Sequence, residues 1–102
     1  MDLNQQPDIM LRLRSAAGHL DAVIRMAENG QPSEEVLHQL NAVQSALRVA
    51  GTKIICCEAE CIREDILTSA SFPERAVELT RLQSLYSIYL QHFNHTPEVN
   101  HD

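Results

Sequence analysis

The chain has no proline between positions 32 and 73, and across that stretch its apolar residues keep a helical period. Leu40, Val43, Leu47, Ala50, Ile54, Cys57 and Cys61 follow one another in alternating steps of three and four for three heptads, the spacing that keeps one face of a helix turned toward a partner. A single helix over about 34–67 is expected. At ~1.5 Å per residue such a helix is roughly 50 Å long, twice the ~26 Å diameter implied by the radius of gyration of a 100-residue domain. Its apolar face therefore needs cover from another chain. A second row, Ile55, Ala59, Ile62 and Ile66, opens in its second half, so that half is apolar on two sides. Gly51 interrupts the helix at a cost of about 1 kcal/mol, which is accounted for by close helix approach or a slight bend.

Two further helices flank the long one. Met10, Leu13, Ala17, Leu20, Ile24 and Ala27 form an amphipathic stripe, with Pro7 suited to the first turn and Gly30 to the end, giving helix 1 over about 8–28. Ser33 is expected to N-cap the long helix, and Glu34 and Glu35 lie in its first turn, where the helix dipole favours negative charge. Ser71 and Glu74 have the spacing of a capping box and start helix 3, about 73–93, whose expected stripe is Leu79, Leu82, Tyr86, Tyr89 and Phe93. The fold class is all-α, with one helical domain over 1–94 and a flexible polar tail over 95–102.

Composition narrows the function. With aromatics at 4% and no Trp, Leu, Ile, Val and Ala must supply the core, as suits helices packed on helices. The net charge of −6 argues against indiscriminate binding to nucleic acid or membranes. The imbalance is local: residues 1–57 hold six acids and five bases, residues 58–102 eight acids and three bases. No run approaches the ~18 apolar residues of a membrane span, so a cytoplasmic protein is expected. Nothing in the sequence resembles paired catalytic carboxylates, a nucleophile triad or a cofactor loop, and an enzyme is not expected.

Chemistry concentrates on the long helix. Cys56, Cys57 and Cys61 lie within six positions. Cys57 and Cys61 share a face and, with Cys56 or Glu58 adjacent, are candidate ligands for a soft ion such as Cu(I), for Zn(II) or for another transition metal. The same two cysteines fall in the apolar stripe, where a thiol packs as a small hydrophobe. Both readings stand on sequence, and one of them needs no metal. Lys53 lies on one side of the cluster and Glu58, Glu60 and Glu64 on the other, so electrostatic activation of the thiols is not evident. Bases are grouped elsewhere: Ile9 to Leu20 contains no acid but has Arg12 and Arg14, and Val36 to Cys57 contains none but has Arg48 and Lys53.

Read in order, Arg12-Leu13-Arg14, Gly18-His19-Leu20-Asp21, Arg25-Met26 and the run from Gln39 to Leu47 resemble the CsoR/RcnR-type metal-sensing transcriptional repressors over about residues 10–90. The resemblance implies an antiparallel four-helix-bundle dimer made from helices 1 and 2 of two chains, with helix 3 joining dimers into a tetramer. It also implies repression by operator binding and release on a metal ion or a thiol-reactive effector such as formaldehyde or persulfide. Arg12 and Arg14 match DNA-contacting positions. Arg48 and Lys53 add bases that a tetramer repeats four times for phosphate contact, whereas Ala17 and Val49 stand where relatives carry bases. In the ungapped match the copper-sensing Cys, His and Cys positions fall on Ser33, Glu58 and Ile62, so those ligands do not transfer. A one-residue deletion in helix 2 would bring Cys57 and Cys61 onto the His and Cys positions but would put the preceding apolar residues out of register, and the ungapped match is preferred. Glu78 matches a Glu that relatives use near the sensing site. His19 is expected to bond between helices, and His38 to be solvated. Two functions are compatible with this: an effector-responsive DNA-binding repressor, and a degenerate member acting as a structural or protein-interaction module without metal sensing or DNA binding.

Overall fold

The computed structural model describes residues 1–68 and 71–92. A 3-10 turn, Leu3–Gln5, precedes three helices: α1, Pro7–Glu28; α2, Ser33–Thr68; and α3, Phe72–His92. No strand occurs among the described residues. The helix ends agree with expectation to within one residue, while Ser69, Ala70, Phe93 and the 95–102 tail lie outside the described residues.

Local chemistry explains each terminus. Pro7 occupies the first turn of α1, where a missing N–H costs nothing, and the Gln6 carbonyl accepts the Met10 N–H at 3.0 Å. At the other end Gly30 takes φ +71°. Gln31 N–H then donates to the Met26 carbonyl at 3.0 Å and Gly30 N–H to that of Ala27 at 3.2 Å, the paired bonds of a Schellman stop. The expected cap of α2 shifts by one residue: the Pro32 carbonyl accepts from Glu35 and Val36 at 3.0 and 3.1 Å, so Ser33 is inside the first turn and Pro32 holds the cap position. Ser71 does cap α3, its Oγ accepting the Glu74 N–H at 3.2 Å.

The chain divides into two compact units. The first, residues 2–54, contains α1 and the N-terminal part of α2. Ile9, Ala16 and Val23 are buried on α1, and Val43 and Ala50 on α2, both sets at heptad spacing. This corrects the expected face of α1. The stripe through Met10, Leu13, Leu20 and Ile24 straddles the contact: Met10 and Leu13 are half-buried, and Leu20 and Ile24 exposed. One neighbouring helix covers only part of a broad apolar face, and the small side chains of Ala16 and Ala50 let it sit on the 9/16/23 edge. Gly51 is buried as well.

The second unit comprises Met1 and the chain from Ile55 onward. Here the buried row of α2 is Ile55, Glu58 and Ile62, with Ile62 at 0% exposure. It is the second apolar row, not the Cys57/Cys61 stripe, that packs most deeply. α3 buries no residue completely. Its half-buried row, Arg75, Glu78, Leu82, Leu85 and Tyr89, again alternates three and four but includes two charges, so apolarity did not reveal it. Leu79 and Tyr86 of the expected stripe are exposed, as are Val77, Ile88 and Leu90.

Candidate nucleic-acid interface and effector region

In the first unit two of the four expected DNA-contacting bases meet at one carboxylate. Asp8 stands in the first turn of α1, where the helix dipole favours an acid. Its Oδ1 lies 3.6 Å from Arg12 Nε, one turn along the same helix. Its Oδ2 lies 3.3 Å from Lys53 Nζ, which arrives from α2. All three side chains remain open to solvent, at 62% for Asp8, 42% for Arg12 and 39% for Lys53. Beside them an open groove of about 500 Å³ is lined by Leu11, Ser15, Ser45, Ala46 and Val49 together with Asp8 and Arg12. Arg14 and Arg48 are exposed and have no ion pair among the described residues. Two helices thus direct one cation each at a single anion-sized point. Such a point suits a phosphate, once the carboxylate moves aside.

The same unit contains an interhelical hydrogen bond. His19 Nε2 lies 2.9 Å from Gln39 Oε1, which makes His19 a link between α1 and α2, as expected. His38 is exposed.

The cysteines belong to the second unit. All three are free thiols, Cys56 exposed and Cys57 and Cys61 half-buried. Glu58, a candidate ligand beside them, is engaged differently. Successive helical residues differ by about 100° in direction, and Glu58 shares its row with Ile55 and Ile62 instead of with Cys57. It is 5% exposed. Arg81 Nη2, from α3, lies 2.9 Å from its Oε2, and the Met1 amino group lies 3.7 Å from its Oε1. The guanidinium approaches Oε2 out of line, so that oxygen is paired in charge but accepts no hydrogen bond. Glu78 Oε2 is also buried without a hydrogen-bond partner among the described residues.

Those contacts bear on the metal expectation. No group of three His, Cys, Asp or Glu side chains among the described residues is arranged to hold a metal ion, and the buried carboxylate nearest the thiols is already neutralised by an arginine. Cys57 and Cys61, one turn apart on α2 and both half-buried, remain a two-thiol pair, while Glu58 is turned to the Arg81 side. His92 ends α3, and His95 and His101 lie outside the described residues.

Sequence reasoning passed over three participants. Asp8 had a legible signal, its spacing of four from Arg12. Arg81 and Gln39 had none, because each meets its partner across helices. No described helix is long and apolar enough to cross a membrane.

Residues 5–85 match the sequence model of a family described as metal-sensitive transcriptional repressor. A segment of 39 residues is 51% identical to the copper-sensing transcriptional repressor CsoR of Mycobacterium ulcerans (strain Agy99). That segment covers 38% of this chain and 33% of the relative, so the two chains align over about a third of the relative's length. No solved structure matches the chain significantly.

Proposed function

The chain belongs to the metal-sensitive transcriptional repressor family, whose model it matches over residues 5–85, and from that premise we propose that it binds operator DNA and releases it when an effector acts on the α2 thiols. The observation that carries the DNA half is the convergence of Arg12 and Lys53 on one anionic oxygen pair. A backbone phosphate offers the same charge to the same two cations, and Arg14 and Arg48 supply exposed bases on the same two helices. Assembly of identical chains supports the reading further. The exposed Leu20, Ile24 and Leu47 belong to the stripes that a four-helix-bundle dimer covers, and each added chain multiplies the bases presented to a duplex.

For the effector, accessibility favours Cys56, the exposed thiol, with Cys57 and Cys61 close behind it on α2. Cys56 follows Lys53 by three residues, within one helical turn. A change of charge or volume at the thiols therefore acts one turn from a DNA-contacting base. Thiol chemistry at the exposed Cys56 needs no further ligand. A soft ion such as Cu(I) is held by as few as two thiolates, so Cys57 and Cys61 supply the protein ligands alone or with thiolates of a second chain.

A salt-dependent mobility shift on DNA upstream of the chain's own gene tests the proposal. Specific retardation at low salt, weakened by Arg12→Ala and Lys53→Ala and reversed by a thiol-reactive effector, is expected. Absence of binding at low salt by the intact oligomer sinks it and favours the structural or interaction module, which also agrees with the −6 charge.

A further inference from the structure

The buried charge of α2 is Glu58, and it is paired with Arg81 of α3. Glu58 is 5% exposed, and a carboxylate at that depth needs a compensating cation. Arg81 provides one from the neighbouring helix, 2.9 Å from Oε2. The Met1 amino group, 3.7 Å from Oε1, adds positive charge on the other side. A metal ion arriving at Glu58 would meet these cations at contact distance, and would have to displace a covalently tethered one. Oε2 accepts no hydrogen bond among the described residues, so charge is what ties it to Arg81.

We infer that Arg81 is a specificity-determining residue: it occupies Glu58 as a built-in cation, ties α3 to α2 at that point, and excludes metal ions from that carboxylate. Any effector then acts on the thiols without Glu58. This deepens the effector half of the proposed function and rests on it only for biological meaning, since the pair itself is read without DNA. Arg81 acts here as a positioning residue, charge-coupled to Glu58. Its side chain is 45% exposed, which moderates the strength of the pair through solvent screening.

The test uses the full chain, with copper(I) and zinc(II) titrated against a chromophoric chelator and melting followed by circular dichroism. Metal affinity and stoichiometry of Glu58→Gln are expected to equal those of the wild type within about twofold, whatever that stoichiometry is. Arg81→Met leaves a buried carboxylate uncompensated and is expected to lower the melting temperature by about 5–10 °C. The double variant Glu58→Gln/Arg81→Met, which removes both charges, is expected to recover most of that loss. Loss of a metal equivalent, or a tenfold weaker affinity, in Glu58→Gln overturns the inference by making Glu58 a ligand in the presence of Arg81. Equal stability of Arg81→Met and wild type overturns it as well. Should Arg81→Met fail to fold, the Glu58→Gln titration still decides, and a well-folded double variant assigns the failure to the orphaned charge. Failure of DNA binding refutes the repressor reading and leaves these measurements unaffected.

Discussion

Replacing Asp8 with asparagine keeps the shape of the side chain and removes the charge shared by Arg12 and Lys53. The magnitude follows from exposure. With the Asp8 side chain 62% exposed and those of its partners 42% and 39% exposed, each pair belongs to the solvent-screened class measured at about 0.2–1 kcal/mol. Taking about 0.5 kcal/mol per pair, Asp8 stabilises the DNA-free protein by about 1 kcal/mol, an energy that phosphate binding must first overcome. Asp8→Asn removes that competition, and the expected result is DNA binding about fivefold tighter per contacting chain at low salt. Two chains acting independently on one site multiply this to roughly 25-fold. Fluorescence anisotropy with labelled operator DNA across a salt series measures it. In the same series Arg12→Ala or Lys53→Ala should flatten the logarithmic salt dependence by ~0.9 for each phosphate that is no longer neutralised. The gain from Asp8→Asn should vanish in an Arg12→Ala/Lys53→Ala background. Unchanged or weaker binding by a well-folded Asp8→Asn variant refutes the reasoning, because Asp8 would then be orienting the two bases instead of competing for them.

Three other perturbations test the fold and the thiols. Ile62, at 0% exposure, anchors the second unit; Ile62→Ala is expected to cost about 2–5 kcal/mol, read as a lower denaturant midpoint, and a loss below about 1 kcal/mol would remove that row from the core. Gly30→Ala places a Cβ at φ +71° with no atom within 4 Å to clash with. Its expected cost of about 1–2 kcal/mol is therefore conformational, and an Asn at the same position should recover part of it. Iodoacetamide labelling of the native protein, followed by peptide mass spectrometry, should modify exposed Cys56 before half-buried Cys57 and Cys61; equal rates at all three would remove the preference for Cys56.

The residues that start and stop helices act within a few positions of themselves, which is why Pro7, Gly30 and Ser71 were legible and α1 to α3 fell within a residue of expectation. Ser33 failed as a cap because the Pro32 carbonyl was already placed to accept the first bonds. Facial assignments were less legible. Periodicity finds an apolar stripe, yet α1 is apolar over a wider arc than one neighbour covers, so Ile9, Ala16 and Val23 are buried while Leu20 and Ile24 are exposed. On α3 the inward row includes Arg75 and Glu78, which no hydrophobic pattern would select.

Sequence by itself determined an all-helical chain with one long central helix, because period, proline spacing and capping are local properties of the chain. It also located the bases and the thiols. Only tertiary structure decided which of those groups are engaged across helices: Asp8 with Lys53, and Glu58 with Arg81. The Lys53 and Arg81 contacts join residues from different helices. Charge pairing falls off with distance in space, so nothing in the linear spacing of 8 and 53, or of 58 and 81, announces it.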